Sequence, residues 1–160
     1  MNSEKIEVFL GQEINIVTRN TRFKQFKRQN TIRDYHFVTS ESKTKFLSYK
    51  KLGGTFCITG PRFKSRITER ITDYMGRWVG CIIRTKGLLI AALSIYQTVD
   101  NTHHGPTSIF SQQAAILLKE GRKIPPRNAF FQDLITVVKI LQARQIEVIL
   151  AGGQKVFYNH

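Results

Sequence analysis

Glu147-Val148-Ile149-Leu150-Ala151-Gly152-Gly153-Gln154-Lys155 is a short apolar run closed by two glycines and a polar pair. A buried strand running into glycine is where α/β proteins present chemistry, because backbone and side chains emerge together at the carboxyl end of the sheet. The sequence ends five residues after Lys155. Any site completed by this strand is therefore expected to be built from upstream residues.

Just before it lies the clearest helix. Phe130, Leu134, Val137, Val138 and Leu141 fall at i, i+4, i+7, i+8 and i+11, one apolar face. Asp133 is expected on its polar side. A helix followed by an apolar strand reads as a crossover packed on a sheet. Ile109 to Lys119 reads as a second helix with Ser108 as its cap. Val79 to Arg84 and Leu88 to Tyr96, joined at Lys86-Gly87, read as a hairpin at the centre of that sheet. Three further strands are expected at Lys5 to Leu10, Tyr35 to Ser40 and Thr55 to Thr59. Glu41 to Leu52 and Arg62 to Asp73 read as basic surface connections. The fold class is α/β, with one domain spanning residues 1–160 and no internal repeat.

Composition narrows the partners. The 160 residues carry 25 Lys and Arg against 11 Asp and Glu, a net charge of +14. Such an excess favours a polyanion, nucleic acid above all. Arg19, Arg22, Lys24, Lys27 and Arg28 lie in an acid-free segment interleaved with Phe23 and Phe26. Spacings of three to five place several of them on one side of a helix, a surface able to track phosphates. Arg62, Lys64, Arg66 and Arg77 extend the basic set. A solvated helix anchored by Phe23, Phe26 and Ile32 explains the first cluster equally well. No apolar run approaches the ~18 residues of a membrane span, and the first residues lack a signal-peptide pattern. An intracellular protein without membrane attachment is expected. Cys57 and Cys81 sit in apolar runs and read as buried thiols. His103 and His104 read as loop histidines, since no carboxylate or cysteine cluster accompanies them.

The order of motifs resembles the endonuclease/exonuclease/phosphatase superfamily, the DNase I-like fold. Gln12-Glu13-Ile14-Asn15 after a strand resembles its Gln-Glu motif. Gly53-Gly54-Thr55, Gly76-Arg77-Trp78 and a strand ending in Tyr96 resemble the middle of that domain. Gly105-Pro106-Thr107, Gln112-Gln113, Pro126-Arg127, Phe130 and Asp133-Leu134 continue the series. The likeness is nearest to copies found beside retroelement reverse transcriptases and covers nearly the whole chain. It implies a partial DNase I-like α/β sandwich, a mixed sheet with helices on one face, incomplete at both ends. It implies that Glu13 is a Mg²⁺ ligand and that Tyr96 stands near the scissile phosphate. Asp100 and Asn101, in the loop from Gln97 to Pro106, are further candidates to approach a phosphate. The chemistry explains the types: phosphodiester hydrolysis needs a metal to neutralise charge, an activated water and donors to the pentacovalent phosphate.

The sequence departs from the pattern at the glycine-ended strand Glu147 to Ala151. The family's Gly-Asp-x-Asn falls on Gly152-Gly153-Gln154-Lys155, so glycine stands for aspartate and lysine for asparagine. An uncharged Gly153 cannot activate water. The first family strand, with its metal-proximal asparagine, and the late Ser-Asp-His segment have no counterpart. The expectation is a remnant of a Mg²⁺-dependent endonuclease with weak or absent Mg²⁺ binding and little or no cleavage. Its partner is nucleic acid, DNA rather than RNA. The alternative is a basic nucleic-acid-binding module without chemistry. Ala151 to Val156 also resembles the Gly-Gly-Gln loop of peptide-chain release factors, but that loop lies mid-domain between basic polar segments.

Overall fold

Trp78-Val79-Gly80-Cys81-Ile82-Ile83 is buried along its whole length, which requires cover on both faces of its strand. The computed structural model supplies that cover with a second sheet on one side and a helix on the other. The structure describes residues 7–12, 25, 28, 34–40, 54–99, 105 and 108–152. The chain is a mixed α/β protein. In order, the elements are β1 (Val8–Gln12), β2 (His36–Ser40), β3 (Thr55–Thr59), α1 (Pro61–Lys64), β4 (Ile67–Thr72) and β5 (Trp78–Arg84). They continue with β6 (Leu89–Ile95), α2 (Ile109–Lys119), α3 (Pro126–Ala143) and β7 (Ile146–Ala151).

Two sheets form. The first is antiparallel, in the order β1-β3-β2. The second runs β4-β5-β6-β7, antiparallel except for the parallel pair β6-β7. That parallel pair is the product of the crossover through α3. The hairpin expected at the sheet centre is there, closed by Gly87 at φ 84° and by Thr85 N–H donating to Leu88 O at 2.8 Å. A two-residue turn needs positive φ, which glycine adopts without steric cost.

Alternation sorts the side chains of β5 between two cores. Val79, Cys81 and Ile83 face the first sheet and pack with Val38 and Cys57, flanked by Val8 and Leu10. Ile82 faces the other way and packs with Ala91, Leu93, Leu141 and Ile146. The apolar face of α3 therefore closes the outer side of the second sheet, where Phe130 and Leu134 also enclose Trp78. Leu117 of α2 joins Met75 and Ala129 in a small core beside it. The Cys57 and Cys81 sulfurs meet between the two sheets at 3.8 Å. Their mutual hydrogen bond and burial hold the Cys57 thiol protonated, well above the ordinary thiol range.

Helix ends match their sequence signals. Ser108 Oγ accepts from Ser111 N–H at 3.1 Å, capping α2 as expected. Pro126 opens α3 at a position where its missing N–H costs nothing.

Two expectations need correction. The segment Arg62 to Asp73 is not a simple connection: it forms the short helix α1 and the edge strand β4. A bulge explains why alternation concealed it. Ile67 pairs with Ile83 while Glu69 pairs with Ile82, so two steps on β4 meet one on β5. Ile67 consequently packs against the inter-sheet core and Ile71 against the helix side. The first strand begins at Val8 rather than Lys5 among the described residues, and it reaches Gln12, so the Gln-Glu pair starts inside the strand.

Candidate functional site

Strand direction gathers the motif residues at one pole of the sandwich. Gln12 at the end of β1 and Ser40 at the end of β2 both pair with Thr55, the first residue of β3. In the second sheet, Thr72 at the end of β4 lies across from Val79, Trp78 across from Ile95, and Ser94 beside Ala151. Two side chains stitch the sheets together here. Ser94 Oγ donates to Gly11 O at 2.9 Å, and Ser40 Oγ donates to Asp73 O. Tyr96 follows directly on β6, buried, with its backbone N–H donating to Arg77 O at 2.7 Å.

The end of β7 sits tightly against this group. A Cβ on Gly152 would lie 2.8 Å from the Ile95 carbonyl oxygen and against the Ile95 side chain. Only glycine permits this approach. The Gly152-Gly153 pair thus has a packing reason at its first member.

Among the described residues, the buried polar residues of this pole include Ser40, Thr55, Asp73, Arg77 and Ser94, while Gln112 and Gln113 are buried on α2. Buried polar groups cost free energy unless paired. The Gln113 amide, 1 % exposed, meets no hydrogen-bond partner on either atom among the described residues, nor does Thr55 Oγ1. Each such group costs about 1–3 kcal/mol. Thr59 Oγ1 is in the same condition at the far end of β3. Unsatisfied buried polar atoms occur at both poles, at Glu7, His36 and Thr59 as well as here, so the strand ends and the glycine approach, not these atoms, mark this pole as the candidate site.

Its electrostatic centre is a ladder of alternating charge. Asp73 Oδ2 accepts from Arg77 Nε at 2.9 Å, Asp73 Oδ1 from Arg77 Nη2 at 2.9 Å, and Asp73 Oδ2 also from the backbone N–H groups of Met75 and Arg77. Arg77 Nη1 reaches across to Asp133 Oδ2 on α3 at 2.9 Å. Arg122 completes the series, donating to both oxygens of Asp133 at 2.9 and 2.7 Å. The Arg77 guanidinium lies 4.4 Å from the Trp78 ring. Burial works against ionised Asp133, but the hydrogen bonds from Arg122 and Arg77 outweigh it and hold its carboxyl below the usual range. Gly76, at φ 75°, lets the 73–77 turn fold back so that Arg77 meets Asp73. Nearby, Tyr74 donates to Glu120 Oε2 at 2.8 Å, and burial with this bond pushes its hydroxyl up to about 12.

Arg77 was expected among the nucleic-acid-binding residues. It is 2 % exposed and its guanidinium is taken up by two carboxylates, so it offers nothing to a phosphate. Asp133 is not simply on a polar helix side; it is the partner that ties α3 to the turn. The interlocking of Asp73 with Arg77 was missed, although an acid four residues before a cation in Asp73-Tyr74-Met75-Gly76-Arg77 was a readable signal.

The other basic residues are elsewhere. Arg62 and Lys64 lie on α1 and Arg66 just after it, all exposed at the pole where β3 ends and β4 begins. Arg62 approaches Glu7 at 3.5 Å. β5 runs 7 residues between the two poles, which at about 3.4 Å per residue separates them by roughly 20 Å. Arg28 is exposed and has helical backbone, as does Gln25. Glu13, Asn101, Arg19, Arg22, Lys24 and Lys27 lie outside the described residues, as do Asp100, His103, His104 and Gly153 to Lys155.

The described residues of this pole fit Mg²⁺ poorly. Mg²⁺ takes carboxylate oxygens and waters. Asp73 and Asp133 have their oxygens committed to arginine, and Glu120 accepts from Tyr74. No group of three or more His, Cys, Asp or Glu side chains converges among the described residues. No helix among them is long and apolar enough to cross a membrane. Compared with known proteins, the chain matches no protein-family model and no curated protein.

Proposed function

We propose that this chain binds nucleic acid through exposed basic residues and does not cleave it efficiently, on a scaffold related to the DNase I-like endonucleases. The observation that carries this reading is a separation of charge. At the motif pole, the described carboxylates Asp73 and Asp133 are neutralised by Arg77 and Arg122. At the opposite pole, Lys64, Arg66, Arg84 and Lys86 are exposed, with no ion-pair partner among the described residues.

The convergence of Gln12, Tyr96 and Gly152 supports the family reading, since such enzymes gather their site from several strand ends. Glu13 would follow Gln12 into that site and supply a single carboxylate, which holds Mg²⁺ weakly. Gly153 supplies no acid where an endonuclease needs one. Binding without efficient turnover is the outcome. DNA is the proposed partner, through phosphate contacts that release counterions.

The test has two readings on one sample. Purified protein is titrated into labelled DNA at rising salt, and plasmid is incubated with protein and Mg²⁺. The expected result is binding that weakens steeply with salt and no nicking above the level of Glu13→Ala protein. Undetectable binding at low salt contradicts the binding claim. Nicking that Glu13→Ala abolishes contradicts the loss of catalysis and restores the endonuclease reading.

A further inference from the structure

The pole far from the glycine-ended strand carries two open depressions that share Arg84 and Thr85. The smaller, about 300 Å³, is lined by Arg66, Arg84 and Lys86 together with hydroxyl residues, and by no acid. The larger, about 920 Å³, adds Gln142, Gln145 and Arg144. Both volumes lie in the range of small-molecule sites.

Four contacts order the strand ends here. Arg84 N–H donates to Arg66 O at 2.9 Å, locking the end of β5 to the start of β4. Thr68 Oγ1 donates to Ile82 O at 3.3 Å and Thr85 Oγ1 to Leu88 O at 3.2 Å. The Arg66 guanidinium lies 5.9 Å from the Phe63 ring. Arg66, Arg84 and Lys86 thus line one depression from adjoining backbone, without a carboxylate among its lining residues. Like charges so placed repel, and an anion between them relieves the repulsion. The nearby acid Glu69 is engaged by Arg144 at 2.6 Å, and Glu147 lines only the larger depression.

Gln145 adds an independent sign. It has φ 58°, the one described non-glycine residue with positive φ. It follows the C-cap of α3, where glycine is the ordinary occupant and a residue with a Cβ is strained. Strain retained at an exposed position points to a use for the side chain. Gln142 lies one turn earlier and lines the same depression. Side-chain amides carry paired donor and acceptor atoms, the chemistry that reads a base edge.

From these we infer a binding site for a single-stranded nucleic-acid segment, with a backbone phosphate held by Arg66, Arg84 and Lys86 and the adjoining unpaired base against Gln142 and Gln145. The inference rests on the proposed nucleic-acid binding and locates it roughly 20 Å from the motif pole, the length of a seven-residue strand. A single strand fits better than a duplex because the amides need an exposed base edge. A lipid headgroup would use the cations but not the amides, and Leu88 is the one largely exposed apolar residue lining either depression.

The experiment is a fluorescence-anisotropy titration of the full chain against a short labelled single-stranded DNA. It is repeated with Arg84→Ala/Lys86→Ala and with Gln145→Gly, and thermal melting is recorded for each protein. The double variant is expected to bind at least ~10-fold more weakly and to lose up to about 0.7 of the slope of log K against log salt, the contribution of one phosphate on a single strand. Gln145→Gly relieves strain, so it melts no lower than wild type while binding falls roughly 2- to 10-fold, the worth of one hydrogen bond. Competition by inorganic phosphate and by anionic phosphatidylserine vesicles is expected to be weak. Wild-type binding with unaffected variants overturns this site and leaves the proposed function standing. Displacement of the DNA by millimolar phosphate or by vesicles overturns the nucleic-acid assignment. Absence of wild-type binding overturns both.

Discussion

Arg77 decides more of this structure than any other residue. It holds Asp73 in two places, reaches Asp133 on α3 and stacks beside Trp78. Removing one member of a buried pair leaves an uncompensated charge, which costs about 3–5 kcal/mol. Arg77→Ala should therefore destabilise the fold by that amount in urea unfolding. Asp73→Asn combined with Arg77→Met should cost clearly less than the two single changes summed. At Asp133 the native carboxyl lies below its unfolded value because Arg122 and Arg77 favour the ionised form. Its stabilisation is present above the unfolded value of about 3.9 and disappears as pH falls through the lower native value. Melting temperature followed downward from pH 5 should thus drop less steeply in Asp133→Asn than in wild type. An equal drop in both proteins would mean the Arg122 bonds contribute nothing. The Asp73–Arg77 spacing is legible in the sequence, but the link to Asp133 is not, because a helical wheel puts Asp133 on a polar face and lacks the position of the 73–77 turn.

Among the elements, those with a strong local signature emerged from sequence with little error. The α3 face at Phe130, Leu134 and Leu141, the Ser108 cap and the Lys86-Gly87 turn each depend on neighbours within a few residues. β4 escaped because its pattern is broken by the bulge at Ile67 and because an edge strand needs few apolar residues. The pairing of β1 with β3 across a long stretch of chain is likewise beyond local patterning. Packing at β7 gives a direct test. Gly152→Ala drives a methyl group into the Ile95 backbone, and overpacking of this kind costs about 1–3 kcal/mol. On the helix that covers this sheet, Leu134→Ala should cost about 2–5 kcal/mol by opening a cavity over Trp78. Chemical denaturation of both variants checks the ranking. A neutral Gly152→Ala would mean β7 does not seat against β6 as described.

On the scale of the whole molecule, charge is divided by position. Among the described residues, one pole gathers strand ends and arginine-paired carboxylates; the other carries exposed cations around two depressions, of which Arg66, Arg84 and Lys86 have no ion-pair partner while Arg144 is paired with Glu69. The sequence predicted a basic protein and a motif series, yet it could not tell that the two lie apart, since that depends on which way each strand runs. β7 is an edge strand among the described residues, with Ile149 and Leu150 exposed. An uncovered apolar edge recruits other chains. The protein should self-associate with rising concentration in size-exclusion chromatography, and Ile149→Lys should suppress this. The most direct test of binding without cleavage is to saturate an end-labelled DNA with protein, verified by anisotropy, add Mg²⁺ and resolve the strands by length. The strands should remain intact for as long as they remain bound. Shortening that requires Mg²⁺ and disappears in Glu13→Ala protein would contradict the claim.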